Sequence, residues 1–356
     1  MDAILPTQAP GARLSGEART GLINALCEIV GAAHVHADGA SCARYARSTA
    51  PRGTVPLAVV APSCQAEVVD LVKLAARTGT PLYPIATGKN WGYGDACAVG
   101  HGQLIVDLSR MNRIVHVDAE LAYAVIEPGV TQGQLSAYLH EQGLPLWMDC
   151  TGAGPDTSLM GNILERGFGH SPYGNRLQHV SGLRVVLANG DVLCTGFGHY
   201  PNAQATHLFP YGIGPFLDGL FTQSNFGIAT QIGLWLMPQV ECVNHFLCTV
   251  ERHGDIAAVV DALRPLRLDG TLRSIVHIGN DLRVISGGTV FPRSRVPAGA
   301  SLPDTVRGEL RAAAGIGAWS VSGALYGSRA QVAAAGKALR AALRGSHASL
   351  RFLTEG

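Results

Sequence analysis

Residues Thr87 to Gly94 read Thr-Gly-Lys-Asn-Trp-Gly-Tyr-Gly, three glycines around one lysine. Successive backbone amides in such a turn can converge on a pyrophosphate without any helix, and Lys89 adds a cation. A dinucleotide fingerprint needs its glycines at a strand-to-helix turn, and a P-loop needs GxxxxGK followed by Ser or Thr; neither pattern occurs. On composition alone a phosphate nest and a plain turn stand level. A second, richer glycine cluster runs from Thr151 to Gly174, TGAGPDTSLMGNILERGFGHSPYG. Two such loops can sandwich one extended ligand. Within the second, Asp156 precedes Thr157 and the apolar Leu159, Ile163 and Leu164, so it reads first as a helix N-cap and only second as a catalytic carboxylate. Glu165 and Arg166 close that short helix and read as a surface pair, worth about 0–1 kcal/mol. His170 sits among glycines, where a polar site and a hydrogen-bonded loop histidine are equal readings. Tyr93 and Tyr173, each beside glycine, are either core plugs or ring-contacting residues.

The elements that must hold these loops follow from periodicity. Ser15 caps a lead-in helix carrying Ala18, Leu22, Ala25, Leu26 and Ile29 before Gly31. Leu57 to Ala61 is a short apolar strand, and Ser63 caps a helix with Val68, Val69, Leu71, Val72 and Ala75. The strand Leu82 to Ala86 completes a β-α-β unit and runs into the first glycine loop. Strands follow at Leu104 to Leu108, Ile114 to Val117 and Ala122 to Glu127. Thr131 and Gln134 then form a capping-box pattern, and Leu144 to Met148 is again strand-like. Asn189-Gly190 between apolar runs marks a hairpin. A helix at Pro215 bearing Leu217, Leu220 and Phe221 and a strand from Ile228 to Leu236 lead to Pro238, where a domain boundary is placed. Beyond it, strands at Phe246 to Val250, Ile275 to Ile278 and Trp319 to Tyr326 alternate with helices around Ile256 to Leu263, Val306 to Ala314 and Gln331 to Leu343, an α+β layer.

The chain has 356 residues, 47% apolar and 15% charged, which is enough for two packed units and excludes wholesale disorder. With 27 basic and 26 acidic residues it offers no electrostatic footprint for nucleic acid. Its eight cysteines form no CxxC pair, which fits free thiols in a reducing compartment. Neither a signal peptide nor a spanning apolar run is found, so a cytoplasmic protein without a membrane partner is expected. HExxH, GxSxG and clustered Cys/His spacings are missing, so no metal site is expected and the chemistry must come from a cofactor.

Taken in order, TGKNWGYG, VDLSRMNRI, AVIEPGVTQGQL, GPDTSLMGNILERGFGHSPYG, VVLANGDVLCTG, LFPYGIGPFLDGLFTQSNFGIATQIGLWLMP, ALRPLRLDGT and GALYG closely resemble the flavoproteins related to vanillyl-alcohol oxidase and 4-cresol dehydrogenase, from about Pro56 to Tyr326. The resemblance implies an α+β fold: a lead-in over residues 1–50, a PCMH-type FAD-binding domain of two α+β subdomains over 51–238, and a partial α+β cap, or substrate, domain over 239–356. It implies that Thr87, Gly88, Lys89, Asn90, Trp91, Gly92 and Gly94 form the pyrophosphate loop. By the same resemblance Pro128, Ser158, Gly161, Asn162, Glu165, Gly167, Gly174 and Ile228 line the flavin and its ribityl-adenine chain.

The implied reaction is hydride transfer from a benzylic or alcohol carbon of a small-molecule substrate to flavin. The resemblance matches Tyr93 to the tyrosine that holds the phenol oxygen. It places His170 where phenol oxidases have a second tyrosine, and Ala153 where they have an acidic residue, with Asp156 reaching that place only by a local gap. Family members continue beyond this cap segment into the part that anchors flavin covalently, so the resemblance implies a C-terminally truncated chain with noncovalent FAD. It further implies a homodimer and an electron-acceptor protein. An inert FAD-binding remnant and an oxidase of hydroxy acids or sugar lactones are the competing readings.

Overall fold

The computed structural model describes residues 15–49, 53–90, 92 and 95–354. Helix Gly16–Val30 begins at Ser15, whose hydroxyl accepts from the Ala18 amide, and ends at Gly31. Its buried Leu22, Leu26 and Val30 recur at i, i+4 and i+8, one face of a 3.6-residue period. Helix Gln65–Thr78 buries Val68, Leu71, Val72 and Ala75 in the same manner and stops at Gly79 in the left-handed conformation. Each of its fully buried Val and Leu side chains contributes about 1.5–3 kcal/mol. The expected Ser63 cap is corrected: the cap residue is Cys64, which makes no side-chain bond, while the Ser63 amide and hydroxyl both donate to Glu67 at 2.7 and 2.9 Å.

Two sheets build the first unit. In the smaller, strands run in the order Val35–His36, Ala58–Val60, Leu104–Asp107, Leu82–Ile85, the last three parallel. The β-α-β unit read from sequence is therefore opened by a later strand, since Leu104–Asp107 lies between the two strands expected to be neighbours. The larger sheet is antiparallel, in the order Ile114–Asp118, Tyr123–Ile126, Gly227–Trp235, Val180–Leu187, Val192–Cys194. Helix Gln65–Thr78 and the lead-in helix share one apolar cluster with Val186 and Ile228, which joins the two sheets. The Asn189-Gly190 hairpin forms, with only Gly190 at positive φ (+86°) and Leu187 and Asp191 closing the turn at 2.8 Å. Its tip lies so near the helix that a Cβ on Gly190 would sit 2.6 Å from Lys73 Cε. The helix expected at Pro215 is reduced to one 3-10 turn, Asp218–Phe221.

The chain divides after Pro238, and residues Gly169–Gly174 group with Gln239–Gly356 as the second unit. That unit has one antiparallel sheet, in the order His277–Asn280, Trp319–Gly327, Cys242–Val250, Ala348–Thr354. Alternate residues Phe246, Cys248 and Val250 are buried together with Val259, Leu263 and Leu266 of helix Ile256–Leu268 and Val332 and Leu339 of helix Arg329–Ala342. The period of two along the strand thus meets the helical period of the layer above it. Both units mix helices and sheets in an α+β arrangement. Among the described residues no helix is long and apolar enough to cross a membrane.

Candidate functional site

Strand Leu82–Ile85 delivers the chain to the first glycine loop at its carboxyl end, the usual place for a ligand in a parallel sheet. Gly88 takes φ +67°, and a Cβ there would lie 2.9 Å from that of Ala96, so the turn closes only around glycine. The loop folds back through Asp95, whose amide donates to the Asn90 carbonyl at 2.8 Å. The backbone N–H groups of Gly88, Lys89 and Asn90 find no acceptor among the described residues, and all three line a groove. Amides left open in succession along a groove form an anion nest.

The second glycine cluster supplies the opposite wall. Ser158 caps helix Leu159–Leu164 by accepting from the Gly161 amide at 2.9 Å, and its hydroxyl donates to the Pro128 carbonyl at 2.6 Å. Its own amide donates to the Thr87 hydroxyl at 3.1 Å, which ties the two loops together. The N-cap reading of Asp156 is therefore corrected: the cap lies at Ser158, and Asp156 is exposed and outside the groove lining. Gly161 admits the close approach, since a Cβ there would stand 3.0 Å from Ala86 Cβ. The Glu165–Arg166 pair is corrected as well. Arg166, at φ +54°, donates to the Thr222 hydroxyl at 3.0 Å, and Glu165 lines the groove, where partial burial raises its pKa.

Beneath this wall lies a group that periodicity does not reveal. Arg176 is 1% exposed and meets Asp149 at 3.2 Å, the Asp149 carbonyl at 3.1 Å and the Asn162 side-chain oxygen at 2.5 Å. Burial lowers its pKa, and the Asp149 and Cys150 charges oppose that shift. A buried pair of this kind holds geometry, because losing either partner strands a charge. It fixes Asn162, against which Gly167 also packs so closely that a Cβ would fall 2.2 Å from the amide nitrogen. The visible clue in sequence is Asp149 directly after the apolar stretch Leu146-Trp147-Met148.

Of the residues singled out in the sequence, Thr87, Gly88, Lys89, Asn90, Pro128, Ser158, Gly161, Asn162, Glu165 and Ile228 line this groove together. Gly92 and Gly167 do not line it, and Gly174 and His170 belong to the second unit. Trp91, Tyr93 and Gly94 lie outside the described residues. The groove adds Tyr83, whose pKa is raised by burial first and by the Glu165 charge second, and Asp95, whose Oδ1 is buried with no hydrogen-bond partner.

The space in the groove is about 190 Å³. A whole-ligand pocket measures roughly 300–1,000 Å³, so the groove grips a section of an extended ligand and leaves the rest outside. A larger cavity of about 720 Å³ lies elsewhere in the first unit, over Arg113, Glu127 and Arg184, and touches neither glycine loop. The residues of the groove fit a dinucleotide. Three open amides suit a pyrophosphate, and the orphaned Asp95 oxygen suits a sugar or ribityl hydroxyl.

Residues 56–196 match the family model described as FAD binding domain. The chain is 42% identical over 330 residues to a 1'-carboxy-chondrochloren decarboxylase from Chondromyces crocatus, covering 92% of this chain and 60% of that protein. It is 39% identical over 277 residues to the 4-cresol dehydrogenase [hydroxylating] flavoprotein subunit of Pseudomonas putida, covering 78% of this chain and 53% of that protein. The crystal structure of p-cresol methylhydroxylase with substrate bound superposes with a TM-score of 0.90 at 34% identity, over 97% of this chain and 67% of that one. The chain belongs to the 4-cresol dehydrogenase family of FAD flavoproteins. FAD is thereby its cofactor, and its α+β architecture is that of PCMH-type flavoproteins. The chain spans between half and two thirds of the length of these two curated relatives.

Proposed function

We propose that the chain is the FAD-binding part of an oxidoreductase that removes a hydride from the benzylic carbon of a para-substituted phenol, with FAD held noncovalently. Bound FAD supplies a two-electron acceptor. The observation that carries the reading is the nest of open amides at Gly88, Lys89 and Asn90, tied through Thr87 and Ser158 to the second glycine cluster. These amides hold the pyrophosphate, and Lys89 offsets its charge. Asp95 accepts a hydrogen bond from a hydroxyl of the cofactor, while Asn162 and Glu165 orient the section beside them. Ile228 and Pro128 give the groove apolar contact that keeps water out.

The substrate class rests on the relatives, which act on a cresol and on a carboxylated natural product. Tyr93 is assigned to the substrate oxygen on the family resemblance, and His170 and Asp156 are second-rank candidates for catalysis. A residue range of 51–238 for the cofactor domain and 239–356 for a partial cap, a homodimer, and an electron-acceptor protein complete the reading. The acceptor follows the naming of the Pseudomonas putida relative as a subunit. The test is dye reduction by the FAD-loaded chain with 4-methylphenol and 4-ethylphenol. Turnover that disappears when FAD is removed supports the reading. No turnover, beside reduction with hydroxy acids or sugar lactones, overturns the substrate class.

A further inference from the structure

The larger cavity of the first unit, about 720 Å³, has no part in the cofactor reading and shares no lining residue with the groove. Its size is that of a whole small-ligand pocket, roughly 300–1,000 Å³. Two cations line it, Arg113 and Arg184. Arg113 is spent on Glu127, to which its Nε and Nη2 donate at 3.1 and 2.7 Å and its amide at 2.9 Å. Arg184 forms no ion pair among the described residues. It stands on strand Val180–Leu187 two residues before Val186, which packs in the cluster of helix Gln65–Thr78. Side chains two apart share a face, so Arg184 leaves the sheet on the side where that helix lies, and it is exposed there.

Two glutamines of the cavity are each held by one end. Opposite Arg184, strand Gly227–Trp235 shifts register between Ala229 and Gln231, a bulge that leaves Thr230 aimed at the start of the helix. The Thr230 hydroxyl donates to Gln65 Oε1 at 2.9 Å and lies 3.3 Å from the Arg184 carbonyl, which ties Gln65 to the base of Arg184. With its oxygen taken, Gln65 presents N–H donors. Gln134, on helix Gln132–Glu141, is held the other way round: its Nε2 donates to the Asn112 carbonyl at 2.8 Å and its Oε1 stays open as an acceptor. Met111, Ile114 and Tyr138 line the same space with apolar surface.

An unpaired guanidinium, one oriented donor, one oriented acceptor and an apolar wall with an aromatic ring describe the complement of a particular molecule. It has an anionic end that suits the arginine fork, and a flat body whose edge carries an acceptor beside a donor. The adenine edge has that pattern, a ring nitrogen beside an exocyclic amine. We propose that this cavity binds an adenine nucleoside monophosphate, with the phosphate on Arg184 and the edge of the base on Gln65 and Gln134. The site goes beyond the flavin chemistry and does not depend on it.

The test is calorimetric titration of the FAD-saturated chain with adenosine monophosphate, inosine monophosphate and inorganic phosphate, with flavin fluorescence followed in the same samples. The inosine compound carries a carbonyl in place of the exocyclic amine, so it should bind about fivefold more weakly, the value of one hydrogen bond. Arg184→Gln should weaken adenosine monophosphate at least about tenfold and leave the ratio of the two nucleotides unchanged. Gln134→Ala should bring that ratio to within about twofold. Gln204→Ala, in a smaller cavity that also borders Arg184, should change neither. Retained FAD binding shows that each variant is folded. No binding of adenosine monophosphate at millimolar concentration overturns the proposal, as does an affinity untouched by Arg184→Gln or a ratio untouched by Gln134→Ala. Inorganic phosphate binding as tightly as the nucleotide would reduce the site to an anion site and overturn it too. Release of FAD by adenosine monophosphate would place the nucleotide in the cofactor groove, with the same consequence. Dye reduction with phenols bears on the oxidoreductase reading alone, so the two fail separately.

Discussion

The groove of the first unit and the histidine stack of the second are made from different parts of the chain. What the groove presents to a ligand is largely backbone: open amides at Gly88, Lys89 and Asn90, the Pro128 carbonyl engaged by Ser158, and Gly161, whose missing side chain lets the walls meet. The second unit's stack is instead made of side chains, His170 and His277, with ring centroids 4.2 Å apart. A backbone site depends on where Cβ atoms are absent, and the identities of many neighbours can drift without disturbing it. A side-chain site changes with every substitution.

That contrast predicts a ranking of effects. Arg176→Ala strikes the groove's support hardest. It leaves Asp149 buried without its partner and frees Asn162, for a loss of about 3–5 kcal/mol in denaturant unfolding together with loss of FAD. Removing the exposed partner Arg264 of Asp261 should change stability by less than about 1 kcal/mol, so equal losses at the two sites would break the comparison.

The next largest effect is on pH dependence. Asp218 is buried with neither oxygen in a hydrogen bond, and burial raises its pKa from 3.8 to about 6. The folded state binds this proton more tightly than the unfolded chain does. The contribution is therefore fully present below about pH 4 and is lost as pH rises to about 6, by about 3 kcal/mol. Asp218→Asn should flatten stability against pH across that window, and an unchanged slope would contradict the assignment.

Gly88→Val comes next, because any side chain at φ +67° is strained and its Cβ meets Ala96. Its FAD dissociation constant should rise at least tenfold, the equivalent of about 1.4 kcal/mol. Ser158→Ala should cost about 1 kcal/mol through the lost cap. Smallest of all, Asp156→Asn should leave FAD affinity unchanged, because the carboxylate lies outside the groove lining.

Much of the fold was legible because it rests on local rules. Val68, Leu71, Val72 and Ala75 announce their helix by spacing, and Asn189-Gly190 announces its hairpin by the dihedral that Gly190 adopts. The groove was legible in its glycines, since close approach leaves a compositional trace. Asp156 and Ser158 both satisfy the capping rule, and only the tertiary bonds of Ser158 to Thr87 and Pro128 decide between them. Thr131 shows the same limit. It caps its helix as expected, but the Gln134 side chain leaves the box and donates to the Asn112 carbonyl at 2.8 Å. Arg176, Asp95 and the partner of His170 were not legible. Their roles depend on residues far away in the chain, and no periodicity records such a meeting.

The most direct test of the central claim is titration of the flavin-free chain with FAD, followed by acid precipitation of the complex. The account predicts saturable binding of one FAD per chain, tightened flavin fluorescence quenching, and all of the yellow colour released to the supernatant. A chain that binds no FAD, or one that carries its flavin into the precipitate, would contradict it.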